Sequence, residues 1–233
     1  MKKIISYLLS LSLGFLGGFL FLHFFSFNYF IRFLIEESPA IAPIEIIETR
    51  EVIIRENEAI VSAIKEVQRA IVGIKIPDRT DSSGLIVSSD GLVVALSTLV
   101  PVRSSPAFYI NGQIVSYEIQ KRDKVKNLAL VKVEGEGLPT LEFANQEELM
   151  VGEKVFLVGT IFDDEGKPQK SVNQGIIKRI EDGLIVTNIK EEERLAGSTL
   201  FNLEGKILGI NLIGTKGEVL TISAPTIREF IEL

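Results

Sequence analysis

The stretch DSSGLIVSSDGLVVALSTLV, residues 81–100, decides the fold class because it contains two strand-like runs joined by a tight turn. The runs GLIVSS and LVVALST are rich in Val, Leu and Ile, which favour β-strands. Asp90-Gly91 stands between them, and an Asp-Gly pair between two apolar runs is typical of a β-hairpin. This part of the chain is therefore predicted to form antiparallel β-structure.

The same pattern continues through the rest of the chain. Short runs of Val, Ile, Leu and Thr follow one another, separated by turn pairs such as Asn111-Gly112, Asp182-Gly183 and Glu204-Gly205. About a dozen such runs without intervening helices predict an all-β barrel or sandwich. The last residues, PTIREFIEL, predict a short helix opened by Pro225.

A helix is predicted before the strands. From Asn57, a residue type suited to the N-cap, the apolar residues Ile60, Ile64, Val67 and Ile71 recur at helical spacing, so one face should pack on the core. The preceding residues 35–56 combine two early prolines with alternating charge and β-branched side chains. They predict an extended linker that could also pair with a partner chain. The β-domain is then expected to cover residues 57–233.

A long apolar run lies near the N-terminus. Residues 4–31, IISYLLSLSLGFLGGFLFLHFFSFNYFI, carry no formal charge and exceed the ~20 residues that a membrane-spanning helix needs. They predict a transmembrane anchor over residues 1–34. A cleaved signal peptide is the alternative, but its apolar region would be shorter, and no small-x-small site precedes Ser38-Pro39-Ala40.

Charges that flank the run predict its orientation. Lys2 and Lys3 precede it, whereas Arg32 follows it together with Glu36 and Glu37. The excess of positive charge on the N-terminal side places the N-terminus in the cytoplasm and the β-domain outside, as in a bacterial-type envelope.

Composition excludes several kinds of chemistry. The chain has no cysteine, and its only histidine, His23, lies inside the apolar run. A Ser-His pair in the β-domain is therefore impossible from this chain alone, and a zinc site is not expected because such sites depend on imidazole or thiolate ligands. We expect no metal and no cofactor.

Net charge argues against a nucleic-acid partner. Residues 1–35 contain three basic and no acidic residues, so the remainder carries 22 basic against 31 acidic residues, a net charge of −9. Such a domain repels phosphate backbones.

The stretch EERLAGSTLFNLEGKILGIN, residues 192–211, has a small-residue loop that could hold a nucleophile. Ser198 is the candidate, and without histidine its base would have to be a lysine such as Lys190 or Lys206. Burial would have to lower the pKa of that lysine by several units. An active serine hydrolase of this kind is one open alternative.

Several motifs together resemble the HtrA family of trypsin-like serine proteases. Residues 81–100 resemble the family's first barrel, and residues 127–160, 171–180 and 200–211 are similar to its later motifs. The resemblance covers residues 57–233. It implies a trypsin-like double β-barrel with a short N-terminal helix, preceded here by one transmembrane helix.

The resemblance also assigns the catalytic positions. The family's histidine falls on Thr98, its aspartate on Asn127 and its nucleophilic serine on Ala196. The glycine whose amide helps to bind the oxyanion falls on Arg194. Ser198 takes the place of a glycine. The resemblance therefore implies a pseudoprotease with no catalytic residue.

Binding is the function that remains on this interpretation. Members of the family hold substrate as an added strand, and Leu212, Ile213 and Gly214 match the edge that pairs with it. Strand addition uses mainly backbone groups, so it can outlast catalysis. We expect an unidentified peptide or protein partner, with the protein acting as a binding or scaffolding module.

A structural role in an oligomer is the third hypothesis. The helix and linker, residues 44–71, would assemble the chain at the membrane, and the resemblance implies a trimer. Because the chain stops at Leu233, it is expected to lack the PDZ domain that is usual in the family.

Overall fold

A computed structural model describes residues 2–36, 47–77, 81–101, 105–145, 147, 149–181 and 183–232. The chain divides into two units, Met1–Arg50 and Glu51–Leu233. Helix α1, Lys2–Glu36, forms most of the first unit. Its segment Leu11–Ile31 has a mean hydropathy of 1.5 and no buried side chains, so the helix is long and apolar enough to cross a membrane.

Helix α2, Ile47–Val67, corrects the linker prediction. The extended structure predicted for residues 35–56 is wrong from Ile47 onward, and residues 37–46 of that prediction lie outside the described part of the chain. β-Branched residues favoured a strand, but the sequence also places Glu51 four residues before Arg55, a spacing that supports a helix.

The predicted apolar face of α2 is present with two corrections. Val67 is buried, and Ile60 and Ile64 are half-buried, as expected of the face that meets the core. Asn57 lies inside the helix and is not its N-cap. Ile71 is buried, but it is the first residue of a strand and not part of the helix.

The first half of the β-domain is a seven-stranded antiparallel sheet that curls into a half-barrel. Its strand order is β5-β4-β1-β2-β3-β7-β6. Its members are β1 Ile71–Lys75, β2 Ser82–Ile86, β3 Leu92–Leu96, β4 Ala107–Ile110, β5 Gln113–Val115, β6 Tyr117–Asp123 and β7 Leu128–Val133.

The second half is a closed six-stranded barrel in the order β10-β13-β12-β11-β8-β9. Its members are β8 Lys154–Phe162, β9 Pro168–Glu181, β10 Leu184–Lys190, β11 Thr199–Asn202, β12 Ile207–Ile213 and β13 Glu218–Ser223. Helix α3, Ala224–Glu232, follows the last strand. The predicted all-β fold with two barrels is confirmed, and so is the C-terminal helix.

Turn chemistry explains why the strands meet as they do. Asn111 and Gly112 have φ values of 50° and 80°, the left-handed conformation that a two-residue hairpin requires at both positions. The resulting hairpin pairs Ile110 with Gln113. The Asn-Gly pair therefore fixes the register of β4 and β5, as the sequence predicts.

Three apolar clusters hold the domain together. One fills the first barrel around Val72, Ile86 and Phe108, and another fills the second barrel around Leu157 and Leu208. The third and largest, here called the inter-barrel cluster, joins residues of both barrels with those of α2 and α3. Its buried members include Val67, Leu96, Leu128, Phe156, Ala196, Phe201 and Phe230. The candidate site lies along this cluster.

Candidate functional site

The candidate catalytic positions come from three loops that meet the inter-barrel cluster. Thr98 lies in a short 3-10 turn, Ser97–Leu99, directly after β3, and Asn127 lies directly before β7. Ala196 follows a second 3-10 turn, Glu193–Leu195, in the other barrel.

Thr98 and Asn127 are in direct contact. The Thr98 backbone N–H donates to Asn127 Oδ1 at 3.0 Å, and the Ser97 N–H donates to the Asn127 carbonyl at 3.0 Å. Asn127 has a φ of 54°, a left-handed conformation that asparagine tolerates better than most residues. Its side chain and backbone thus fasten the turn that carries Thr98, whose own side chain is exposed.

Ala196 is connected to that pair through apolar packing. Leu96 and Leu128, the neighbours of Ser97 and Asn127 in the chain, belong to the same buried cluster as Ala196. Ala196 itself is 7% exposed, and its side chain is a methyl group that has no acid, base or nucleophile. The structure therefore joins Thr98 to Asn127 directly, and it places Ala196 in the same apolar cluster as their chain neighbours Leu96 and Leu128.

Backbone amides around Ala196 are turned into the protein. The Ala196 N–H donates to the Glu193 carbonyl at 2.9 Å, and the Leu195 N–H donates to the Glu192 carbonyl at 2.9 Å. The Gly197 N–H donates to Asn211 at 2.8 Å and the Ser198 N–H to Leu195 at 3.1 Å. All four amides of residues 195–198 have acceptors within the chain, so this loop does not present preorganised donors to an oxyanion.

Side chains of the same loop hold it in place. Leu195 is 3% exposed and lies against Gly159 of β8, so close that a Cβ on Gly159 would stand 2.7 Å from its Cδ2. Arg194 points outward, where its Nε forms an ion pair with Glu192 at 2.8 Å. From β2, Ser82 Oγ donates to the Ala196 carbonyl at 3.0 Å. The loop is thus fixed to both barrels.

Ser198 is in a buried hydrogen-bond network. It is 0% exposed, and its Oγ accepts from Asn211 Nδ2 at 2.9 Å. Asn211 Oδ1 in turn accepts from the Thr221 hydroxyl at 2.6 Å. Of the two candidate bases, Lys206 forms an ion pair with Glu204 at 3.0 Å, and Lys190 is exposed at the end of β10. The Ser198 hydroxyl is therefore closed off from solvent and holds Asn211.

The edge at Leu212, Ile213 and Gly214 is paired on one side. Leu212 and Ile213 lie opposite residues of β13, and the Gly214 N–H donates to the Glu218 carbonyl at 2.9 Å. Since backbone groups alternate in direction along an antiparallel strand, the N–H and C=O of Ile213 face away from β13. Among the described residues, β11 pairs with β12 only as far as Ile210, so no strand covers that side of Ile213.

Hydrogen bonds also join the two barrels directly. Ser83 Oγ accepts from the Thr160 N–H at 2.7 Å. Lys170 Nζ donates to the Ile71 carbonyl at 2.6 Å and to Thr160 Oγ1 at 3.1 Å. Although the Lys170 stem is exposed, its ammonium group is turned inward, and burial lowers the pKa of Lys170 to about 8.

Sequence reasoning missed these supporting residues. Ser82, Ser83 and Leu195 are all buried and carry the bonds or contacts that close the loop. The one available signal was the polar pair Ser82-Ser83 in a strand that is otherwise apolar, because buried hydroxyls need hydrogen-bond partners. Nothing in the sequence identified those partners.

A half-barrel and a closed barrel joined along an apolar cluster define a trypsin-like double-barrel protein. The family profile of the trypsin-like peptidase domain matches residues 82–210. The chain belongs to this family, and it is an HtrA-like member.

Relatives and a solved structure agree with that assignment. A probable periplasmic serine endoprotease, DegP-like, from Halomonas elongata is 31% identical over 142 residues, 57% of this chain and 29% of the relative. Serine protease HTRA1 from Xenopus laevis is 30% identical over 169 residues, 64% of this chain and 35% of the relative. The chain thus spans about a third of the length of these curated relatives.

The crystal structure of the serine endoprotease from Yersinia pestis has the same fold. It superposes with a TM-score of 0.66 at 21% sequence identity and covers 74% of this chain and 65% of the other. At this identity the likeness supports the fold alone.

Proposed function

We propose that this protein is a membrane-anchored, catalytically inactive homologue of HtrA-like proteases, and that it binds extended peptide or protein segments outside the cytoplasm. The proposal is supported by the residues at the three catalytic positions, Thr98, Asn127 and Ala196. The chain's only histidine, His23, lies in the candidate membrane span, so the β-domain contains no histidine that could act as a base.

One observation carries the proposal: the Ala196 N–H is bonded to the Glu193 carbonyl. In a serine protease the residue at this position supplies both the attacking oxygen and an amide for the oxyanion. Here the side chain has no oxygen, and the amide is already engaged. Losing a single oxyanion donor costs roughly 100-fold or more in rate, so the loss of both functions leaves no route to acyl transfer.

Restoring the catalytic groups tests the proposal. The variant Thr98→His/Asn127→Asp/Ala196→Ser is expected to remain inactive on fluorescently labelled casein, because the 193–198 loop still directs its amides inward. Adding Arg194→Gly and Leu195→Asn should permit measurable cleavage, since these changes remove the side chains that hold the loop. The assay uses the full chain in detergent micelles, with an active HtrA-like protease as positive control.

Casein cleavage by the unmodified chain, lost in Ser198→Ala, would overturn the proposal. Labelling by a fluorophosphonate probe gives a second readout because it does not depend on the choice of substrate. A matched variant, Ser105→Ala, removes an exposed serine elsewhere and should leave either signal unchanged.

The proposed topology rests on Lys2 and Lys3 before the apolar helix. Because the chain has no cysteine, single cysteines report location without background. Lys216→Cys should react with a membrane-impermeant maleimide in intact bacterial cells, whereas Lys3→Cys should react only after permeabilisation. The reverse pattern would contradict the orientation, and processing at the N-terminus would indicate a cleaved signal.

The binding edge of the proposal is Ile213. Its N–H faces away from β13, so Ile213→Pro removes a donor for an added strand without removing a bond to β13. Loss of peptide binding in this variant, with an unchanged circular dichroism spectrum, is the expected result. A trimeric assembly stays a prediction, and light scattering of the full chain in micelles measures it.

A further inference from the structure

One face of helix α1 combines polar and apolar side chains. Six residues of the candidate span Leu11–Ile31 recur at alternating steps of four and three, so they lie on one side of the helix within an arc of roughly 80°. These residues, here called the polar seam, are Ser12, Leu16, Phe19, His23, Ser26 and Phe30. The serine and histidine side chains of the span are therefore gathered on one face.

Contacts along the helix show that the polar seam is continuous. One groove on the helix surface is lined by Ser12, Leu16 and Phe19 together with two neighbouring apolar residues. The rings of Phe19 and His23 then meet edge to face, with their centroids 6.2 Å apart and their planes at 75°. Ser26 follows one turn later, so the strip runs through most of the span.

His23 lies where an unpaired polar group is most costly. It is two residues past the middle of the span, a distance of about 3 Å along the helix axis. No residue that the structure describes bonds to its ring nitrogens. Hydrocarbon offers neither donors nor acceptors, and ionisable residues inside a span almost always face another helix or a polar cavity. His23 therefore needs a partner from another helix.

A second copy of the same helix supplies matching groups. Copies that insert in the same orientation lie parallel, and a shared seam then brings equal-numbered residues together. A neutral imidazole has one donor and one acceptor nitrogen, so two of them form an N–H···N bond. The Ser26 hydroxyl, one turn further along, both donates and accepts. Alternating steps of four and three are also the pattern of a left-handed helix pair.

The other side of the helix has no comparable need. Gly14 and Gly18 are spaced so that two helices could approach closely there, since a Cβ added to either glycine would meet no heavy atom within 4 Å. Asn28, a polar residue on that side, donates through Nδ2 to the Phe24 carbonyl at 2.9 Å, within its own helix. The glycine side permits a helix contact, whereas the polar seam requires one.

We infer that two copies of this chain associate in the membrane through their polar seams, with His23 of each copy bonded to His23 of the other. This inference rests on the proposed function, because it needs α1 to remain in a membrane. The contact lies within the span and is separate from residues 44–71, where the sequence predicts an assembly element. The partner is therefore a second copy of this chain.

Cysteine cross-linking in membranes tests which face is shared. The chain has no cysteine, so single replacements report one position each. Leu16→Cys and Phe30→Cys lie on the polar seam, and Phe21→Cys and Phe25→Cys lie on the other side as matched controls. After oxidation of membranes that contain the full chain, we expect disulfide-linked dimers mainly from the two seam variants on non-reducing gels.

Replacement of His23 tests the bond itself. Full chains labelled with donor or acceptor dyes at Lys216→Cys are reconstituted in liposomes and diluted with lipid, and energy transfer measures their association. His23→Leu should weaken association by roughly 3- to 30-fold. His23→Asn should keep most of it, because an amide also carries a donor and an acceptor. Asn28→Leu removes a polar group from the other side and should leave energy transfer unchanged.

The outcomes separate this inference from the proposed function. Equal cross-linking on both sides, or stronger cross-linking at Phe21 and Phe25, would overturn the polar seam while the anchor stands. Disulfides to a different protein in place of dimers would overturn the second copy as partner. Unchanged energy transfer in His23→Leu would overturn the role of His23. Removal of the span by processing would overturn both this inference and the proposed anchor.

Discussion

Asn127 in the first barrel and Ala196 in the second barrel differ in what their polar groups do. Asn127 uses its side-chain oxygen to hold the amide of Thr98, in a turn that remains partly open to solvent. Ala196 has no polar side chain, and its amide is used inside a closed loop. The first-barrel turn is held by a polar side chain, and the second-barrel loop is held by backbone bonds and apolar packing.

That difference shows which groups the fold itself requires. On the proposed function, asparagine replaces aspartate where a side-chain oxygen is needed to hold a neighbouring turn. Alanine replaces serine where the hydroxyl served only the reaction. Substitution at a former catalytic site is then expected to spare the groups with structural partners and to remove the others.

The largest expected effect concerns Gly197, which keeps the second-barrel loop closed. Its φ is 84°, and a Cβ there would stand 2.4 Å from the Ser83 carbonyl oxygen. Gly197→Ala should therefore lower the free energy of unfolding by about 3–4 kcal/mol, combining backbone strain with overpacking. Urea unfolding of the full chain in micelles, followed by circular dichroism, measures the change.

A second glycine separates the effect of backbone strain from that of overpacking. Gly112 has a φ of 80°, but a Cβ added there would have no heavy atom within 4 Å, so Gly112→Ala should cost only about 1 kcal/mol. Equal losses in the two variants would contradict the close packing of Gly197 against β2.

Leu195 is expected to give the next largest effect. Leu195→Ala removes a buried side chain that packs on Gly159 and should cost about 2–4 kcal/mol. Hydrogen exchange of the Ala196 amide should also accelerate, because the turn that protects it loses its anchor. Leu212→Ala, at a half-buried position, is the control and should leave that amide unchanged.

On the first-barrel side, the comparison predicts smaller effects that depend on hydrogen bonding. Asn127→Ala should cost about 1–2 kcal/mol, because the Thr98 amide loses its acceptor and alanine tolerates the left-handed backbone less well. Asn127→Asp keeps the acceptor and should stay within about 0.5 kcal/mol of the parent. Similar losses for both substitutions would show that the side-chain oxygen does not hold this turn.

Much of this architecture follows from local sequence signals. Asn111-Gly112 predicts its hairpin because only a few residue types adopt two consecutive left-handed conformations. The N-terminal part of α2 was misjudged because β-branched residues and helix-type charge spacing coexist there, and local propensity does not decide between them. The apolar helix α1 was identified by length and composition alone.

The candidate site, like the fold, can be predicted from the sequence only in part. Motif order assigns the family's catalytic positions to Thr98, Asn127 and Ala196, and this assignment stays a prediction. The closure of the 193–198 loop is not predictable from sequence, because it depends on Ser82 and on Gly159, which are far away in the chain and near in space. Contacts of this kind arise only when the two barrels are packed together.

Because Lys170 is exposed as a residue, solvent screening should make the pH-dependent effect of the bonds that join the two barrels the smallest of these effects. Burial lowers the pKa of Lys170 from 10.5 to about 8, so between these values the unfolded chain binds a proton that the folded chain does not. Stability then rises with pH in this window and is flat with respect to this group below and above it. The free energy of unfolding of the parent should therefore increase, relative to that of Lys170→Met, as pH is raised from 8 to 10.5.

Urea midpoints measured at the two ends of that window provide the check, with Lys178→Met as a control at an exposed lysine. The control should follow the parent, because this substitution leaves Lys170 and its hydrogen-bond partners unchanged. If the free energy of unfolding changed with pH in the same way for the parent and for Lys170→Met, the Lys170 ammonium would be well solvated. The bonds from Lys170 to Ile71 and Thr160 would then be surface contacts, and the two barrels would be held together mainly by the inter-barrel cluster.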